Sequence, residues 1–139
     1  MEPMRPYATA LQRLRGVGLR PTRQRLALAR QLLEAGDRHV TAEQVHEEVR
    51  KSGISISLAT VYNTLHQFTD AGLMREVLVE PGRSYFDTNT AHHYHFYHHE
   101  TGLLQDIPQD QLAVARLPNA PAGTSVDRVD VIVRVKPKR

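Results

Sequence analysis

Histidines are concentrated in one stretch of the chain, and their spacing suits the binding of a metal ion. Five of the eight histidines are close together: His92, His93, His95, His98 and His99. Aromatic residues alternate with them in the run 92–97, which predicts a β-strand. Residues two apart share a face of a strand, so His93 and His95 point the same way, with Cα atoms roughly 6.5–7 Å apart. Two imidazoles at this spacing can bind one ion.

Two carboxylates flank this stretch. Asp87 precedes it and Asp106 follows it, and a hairpin can bring both to the same ion. The histidine cluster has two alternatives to metal or haem binding. It can be a purification tag, although tags lie at termini and repeat a single residue. It can also be a solvated strand that binds nothing.

The chain contains no cysteine. This excludes disulfides, thiolate zinc sites, thiol redox sensing and haem ligated by cysteine. Any metal must therefore be bound by nitrogen and oxygen atoms.

Length and composition indicate a globular protein. A chain of 139 residues allows one domain, or two small ones that share a dimer core. Its hydrophobic content of 40% and charged content of 24% are ordinary. No run of apolar residues is long enough to cross a membrane, and the N-terminus lacks the apolar segment of a signal peptide. We expect a cytoplasmic protein without membrane contact.

Positive charge is concentrated near the N-terminus. Residues 3–33 contain no Asp or Glu but seven arginines: Arg5, Arg13, Arg15, Arg20, Arg23, Arg25 and Arg30. A polyanion such as double-stranded DNA is the partner that this pattern favours. The alternative is a solvated basic face.

Apolar periodicity in the first part of the chain predicts helices followed by a hairpin. The predicted helices are residues 7–15, a helix beginning at Thr22, a helix capped by Thr41 and residues 58–71. Residues 73–79 then pair with 83–88 across a type II turn in which Pro81 and Gly82 are central. These are the parts of a winged helix-turn-helix domain, which we assign to residues 1–88.

The remaining residues, 89–139, predict a small α/β domain. Short strands are expected at 92–97 and 103–107, a short helix at 109–117, and a last strand where valines alternate from Val129 to Val135. About 50 residues bury little core alone, so this domain is expected to form a homodimer. The predicted fold class is α+β.

The fourth helix carries the candidate DNA-reading residues. Its outer face presents Ala59, Tyr62, Asn63 and His66, with Thr60 near the N-terminus. In a helix-turn-helix this region meets base edges in the major groove, where Asn pairs with adenine and an aromatic ring contacts the thymine methyl. Alternatively, Tyr62 packs against the domain surface and Asn63 is merely solvated.

Four segments together resemble the ferric uptake regulator family. They are residues 18–25 (GLRPTRQR), 39–43 (HVTAE), 58–65 (LATVYNTL) and 92–95 (HHYH). The resemblance extends over nearly the whole chain in order. It implies a winged-helix DNA-binding domain, an α/β dimerisation domain and metal-controlled binding to operator DNA rather than an enzymatic activity.

The resemblance also implies roles for individual residues. The family's regulatory metal site falls on His39, Asp87, His93, His95 and Asp106. Three imidazoles and two carboxylates suit Fe(II), Mn(II) or Zn(II). Arg20 corresponds to a phosphate or minor-groove contact and Tyr62 to the base-contacting aromatic. Asn63 stands where the family usually has arginine, which implies a different operator sequence.

The chain departs from the family at its other metal sites. His98 and Thr101 replace the usual Cys-x-x-Cys of the structural zinc site. His92 matches one ligand of a further site, but Tyr94 stands where an acidic ligand is usual.

The absence of cysteine together with a histidine-rich strand resembles the iron response regulator branch of the family. That branch implies a regulator of iron and haem metabolism genes that responds to haem. Haem needs an axial imidazole and an apolar slot, and His92, His93 and His95 lie among aromatic residues. A manganese, zinc or peroxide sensor that uses only the five-ligand site is the alternative within the family. Outside it, a metalloenzyme and a metal store remain.

Overall fold

The chain folds into two compact units, with the division between Thr90 and Ala91. The computed structural model describes residues 7–139, so Arg5 lies outside the described residues. No helix within this range is long and apolar enough to cross a membrane. The assignment of DNA binding to residues 1–88 and of dimerisation to residues 89–139 stays a prediction.

The first unit contains four helices where the sequence predicts them. They are α1 (Ala8–Gly16), α2 (Arg23–Leu33), α3 (Ala42–Lys51) and α4 (Leu58–Asp70). Three of them begin after a hydroxyl residue whose side chain accepts a hydrogen bond from the backbone N–H three positions later: Thr22, Thr41 and Ser57. Each cap satisfies one N–H group that the first helical turn leaves without a partner.

The buried face of α2 is wider than helical spacing predicts. Spacing alone predicts a stripe of Leu26, Ala29, Leu32 and Leu33. Ala27 and Leu28 are buried as well, whereas Leu26 and Leu33 are only partly buried. The reason is that α1, α3 and α4 all pack on α2, so more than one stripe of this helix is covered.

A three-stranded antiparallel sheet completes the first unit. Its strands are β1 (His39–Val40), β2 (Arg75–Glu80) and β3 (Arg83–Asp87), in the order β1-β3-β2. Gly82 has φ +74° at the third position of the β2–β3 turn, as a type II turn requires. The two-residue strand β1 is not predicted by the sequence, because a pair of residues has no measurable periodicity.

The second unit contains a three-stranded mixed sheet. Its strands are β4 (Tyr94–His98), β5 (Leu104–Ile107) and β6 (Ile132–Val135), in the order β5-β4-β6. β5 is antiparallel to β4, whereas β6 is parallel to it. The long connection from β5 to β6 is what allows the parallel pairing.

The predicted helix at residues 109–117 is wrong. Only a single 3-10 turn forms, at Gln109–Gln111, and Leu112 already has an extended backbone. Val114 and Leu117 are 39% and 49% exposed, so these two residues bury little apolar surface. Helices in proteins are stabilised mainly by packing of an apolar face, and this segment lacks that packing.

Candidate metal centre and nucleic-acid interface

Three predicted metal ligands converge in the second unit. Pairing of β4 with β5 places His95 directly opposite Asp106, and His93 lies two residues before His95. The Nε2 atoms of His93 and His95 are 3.2 Å and 3.4 Å from the same Asp106 Oδ1. The ligand atoms of these three residues all lie within 4.8 Å of one another.

The orientation of His93 leaves a nitrogen lone pair facing a carboxylate. Its Nδ1 lies against the carbonyl oxygen of Ala91, which can only accept, so Nδ1 is the protonated nitrogen. In the neutral ring, Nε2 and Asp106 Oδ1 then face each other as two acceptors, an arrangement that a cation between them would stabilise. A backbone carbonyl that accepts a hydrogen bond from the other ring nitrogen orients a metal-binding histidine in this way.

The spacing of these atoms fits a shared ion. Nitrogen and oxygen ligands lie about 2.0–2.2 Å from a bound transition-metal ion. In tetrahedral or octahedral coordination, neighbouring ligands are therefore about 2.8–3.6 Å from each other. The separations of 3.2 and 3.4 Å between the histidine nitrogens and Asp106 Oδ1 fall in this range.

The first unit contains a separate pair of predicted metal ligands. Pairing of β1 with β3 places His39 opposite Asp87, with Nε2 3.2 Å from Oδ2. Asp87 is 1% exposed, and its Oδ1 accepts a hydrogen bond of 2.8 Å from the backbone N–H of Asn89. A buried carboxylate needs a positive partner, so this pair is also suited to binding a cation.

Arg38 anchors the strand that carries His39, a role that no sequence pattern indicates. Its guanidinium donates to both carboxylate oxygens of Glu48 on α3, at 2.7 and 2.8 Å. Its backbone N–H donates to the hydroxyl of Thr88, and the Thr88 N–H donates to the Arg38 carbonyl. The residue before His39 is therefore tied both to α3 and to the end of β3.

Two of the three histidines predicted to bind haem line the same cavity. A cavity of about 370 Å³ in the second unit is lined by His92 and His93, but not by His95. Its apolar lining includes Ile107 and Leu112. His92 is exposed, and its Nε2 lies 3.1 Å from the hydroxyl of Tyr94.

The predicted DNA-reading face of α4 is accessible. Ala59, Asn63 and His66 are exposed, and Thr60 is partly buried. Arg20 is exposed in the loop between α1 and α2, and its carbonyl accepts a hydrogen bond of 2.9 Å from Arg25 Nη1. The same arginine, Arg25, donates to Gln67 on α4 and so connects the basic loop to this helix.

Tyr62 is held more firmly than a solvated side chain. Its hydroxyl donates a 2.7 Å hydrogen bond to Oε1 of Glu43 on α3, and its ring is partly buried against the core. The hydrogen bond to Glu43, together with burial, raises the pKa of Tyr62 above its usual range. Tyr62 therefore packs against the domain surface, which is the alternative role that the sequence left open.

Comparison with known proteins identifies the family. The model of the ferric uptake regulator family matches residues 16–131. The chain belongs to the ferric uptake regulator family. A peroxide-responsive repressor of Staphylococcus aureus is 36% identical over 99 residues, a match that covers 71% of this chain and 66% of that protein, slightly less than two thirds.

Solved structures show the same fold. The ferric uptake regulator of Vibrio cholerae has a TM-score of 0.70 and 27% identity, over 91% of this chain and 98% of that one. A zinc-bound manganese uptake regulator has a TM-score of 0.64 and 25% identity, over 93% of this chain and 99% of that one. The predicted fold class, a winged-helix domain followed by a small dimerisation domain, is confirmed.

Family membership also decides between the classes of function that the sequence left open. Members of the ferric uptake regulator family are transcriptional regulators rather than enzymes. The resemblance to this family is confirmed, and the metalloenzyme alternative is set aside.

Proposed function

We propose that this chain is a metal-responsive transcription regulator that binds operator DNA as a homodimer. One divalent ion, bound by His39, Asp87, His93, His95 and Asp106, controls that binding. The observation that carries the proposal is the convergence of two imidazole nitrogens on one oxygen of Asp106. Protein relatives named for peroxide response and ferric uptake regulation support it.

The two groups of ligands complement each other. His39 and Asp87 supply two ligands, and the second unit supplies three. Neither group alone supplies the four to six ligands that Fe(II), Mn(II) or Zn(II) usually binds. A bound ion supplies positive charge, which would offset the cost of the buried Asp87 carboxylate.

Metal analysis tests whether both groups bind the same ion. Isothermal titration with Mn(II) or Zn(II) should give one tight site per chain. His39→Ala and His95→Ala should each lower the affinity of that site for metal. The loss of binding free energy in the double variant should not exceed the sum of the two single losses. Two tight sites lost independently, or no tight site, would contradict the proposal.

The DNA-binding part of the proposal is supported by exposed charge and by α4. Arg13, Arg15, Arg20 and Arg23 are all exposed, as an electrostatic contact to phosphates requires. Arg20→Ala should lower the affinity for all sequences and reduce the salt slope by about one unit. Tyr62→Ala should weaken specific binding more than non-specific binding.

The decisive experiment combines these elements. Selection from a random duplex library with the Mn(II)-loaded protein should enrich a palindrome, and a chelator should weaken binding to it. If no sequence is enriched, the proposed function is wrong. Equal affinity with and without metal would support DNA binding but contradict metal control.

The homodimer is supported by the sheet of the second unit. Phe96, Val133 and Val135 are only partly buried on it. Val133 and Val135 belong to the apolar face that the sequence predicts for the last strand, and Phe96 is the partner of Val133 in the pairing of β4 with β6. Burial of this face against a second copy would supply the core that a unit of this size lacks. Analytical ultracentrifugation should give a dimer, and Val133→Asp should shift the protein towards the monomer.

A second candidate is control by haem, as in the iron response regulator branch. The cavity beside His92 and His93, with its apolar lining, supports it. Such a protein would regulate iron and haem metabolism genes. Titration with haemin should give a Soret shift that His92→Ala or His93→Ala removes, whereas His99→Ala should leave it intact. No saturable shift in the wild-type protein would exclude this candidate.

A further inference from the structure

Glu43 differs from the other glutamates of α3 in the partner it contacts. Glu47 pairs with Arg50, and Glu48 pairs with Arg38. Glu43 makes no ion pair within residues 7–139, and its carboxylate instead accepts a hydrogen bond from the Tyr62 hydroxyl. Its position in the first turn of α3 is favourable for a negative charge, but this position alone does not explain a contact with another helix.

The contact joins the two helices of the helix-turn-helix at one point. Glu43 lies on α3 and Tyr62 on α4, nineteen positions apart in sequence. The ring of Tyr62 also packs against the core and lies 6.4 Å from the ring of His66. The tyrosine is thus held at both ends, by the core at its ring and by Glu43 at its hydroxyl.

We infer that Glu43 is a positioning residue for the DNA-reading face: it fixes the Tyr62 ring so that the ring's exposed edge meets one base pair. The inference rests on the proposed function, since it needs sequence-specific DNA binding. The hydroxyl is occupied by Glu43, so the base contact uses the apolar edge of the ring, which suits a thymine methyl. Glu43 itself is exposed and negative, and its charge repels phosphate.

Ring positioning and phosphate repulsion by Glu43 have opposite effects on DNA binding, and a Glu43→Ala variant loses both. Loss of the negative charge raises affinity for any duplex, because affinity without sequence preference is electrostatic. Loss of the hydrogen bond frees the tyrosine ring and lowers the preference for the selected sequence. The specificity ratio, specific over non-specific affinity, should fall by roughly three- to tenfold, the effect of one hydrogen bond.

Two variants separate positioning from charge. Glu43→Gln removes the charge but keeps an oxygen that accepts the Tyr62 hydroxyl, so the specificity ratio should stay near that of the wild type. In the Tyr62→Phe background the hydrogen bond is already absent, so adding Glu43→Ala should change the ratio no further. Glu47→Ala is the matched control, since it removes the same charge from the same helix without touching Tyr62.

The experiment measures affinity of the full-length Mn(II)-loaded dimer for two duplexes: the one enriched by wild-type protein from a random library, and a scrambled version of it. Thermal melts followed by circular dichroism correct each affinity for the folded fraction. A ratio that falls in Glu43→Ala and is restored in Glu43→Gln supports the inference. An unchanged ratio in Glu43→Ala, or an equal fall in Glu47→Ala, overturns it while leaving the proposed function intact. Failure of the wild-type protein to enrich any duplex overturns both.

Discussion

The Nε2 atom of His95 lies 3.4 Å from Oδ1 of Asp106, its direct partner across the β4–β5 ladder. Strand pairing alone thus places an imidazole and a carboxylate side by side. Metal affinity should therefore depend on which face of β4 a histidine occupies.

We expect His95→Ala to lower the affinity for Mn(II) or Zn(II) by at least about tenfold, because it removes a ligand whose position the sheet determines. His98→Ala is the matched control: it lies on the same strand, but its Nε2 contacts Gln105, 2.9 Å away. Isothermal titration measures both. A similar loss in His98→Ala would place the metal elsewhere.

The ion pair of Arg38 with Glu48 should stabilise the first unit. Both side chains are less than a third exposed, and two hydrogen bonds join them. Arg38→Ala should lower the free energy of unfolding by about 1–3 kcal/mol, the range for hydrogen bonds to charged groups.

Arg50→Ala is the control for that measurement, because Arg50 also makes two hydrogen bonds to a glutamate, Glu47, but on the exposed surface. Solvent and salt screen such a pair. Arg50→Ala should therefore lower the free energy of unfolding clearly less than Arg38→Ala does, as measured by urea unfolding at low ionic strength. Equal losses would show that the Arg38 contact has no structural role.

The N-cap of α4 should contribute to stability. The Ser57 hydroxyl accepts from the Thr60 N–H at 3.1 Å, so Ser57→Ala should cost about 1 kcal/mol and Ser57→Asp should recover it. Ser55→Ala, a change at an exposed serine before the cap, should be neutral in the same thermal melts. Destabilisation by Ser55→Ala equal to that by Ser57→Ala would argue against capping.

The hydrogen bond between Tyr62 and Glu43 predicts a pH dependence with a definite sign. The pKa of Tyr62 is raised in the folded protein from its ordinary value of 10.0. A group with a raised folded pKa stabilises the fold below the unfolded pKa and loses this contribution as the pH rises through the folded one. The contribution is therefore complete at neutral pH and is lost only above about pH 10.

NMR of protein labelled with 13C at the tyrosine ζ carbon measures this pKa, with the Tyr62 signal assigned from Tyr62→Phe. Glu43→Ala should lower the pKa of Tyr62 towards 10 and leave those of the other tyrosines in place. An unchanged Tyr62 pKa would mean that the hydrogen bond does not form in solution.

The sequence predicts the elements whose stability is local. Helices α1 to α4 are predictable because apolar spacing and hydroxyl caps such as Thr41 and Ser57 act over three or four residues. The turn at Gly82 is predictable because few residues tolerate positive φ. The helix predicted at 109–117 is wrong: its composition suits a helix, but Val114 and Leu117 remain exposed, and a helix that buries little apolar surface gains little stability from packing.

The types of ligand and the absence of cysteine were determined by the sequence alone, and with them the restriction to nitrogen and oxygen donors. The spacing of His93 and His95 was determined as well, because residues two apart on a strand always share a face. These features need no knowledge of the rest of the chain.

Only the tertiary structure decided which distant residues became partners. His39 meets Asp87 through the unpredicted strand β1, His95 meets Asp106 through the register of β4 and β5, and Glu43 meets Tyr62 through packing of α3 on α4. Strand register and helix packing depend on the burial of many side chains at once. No local pattern contains that information, so the contacts that orient the functional side chains appear only in the folded chain.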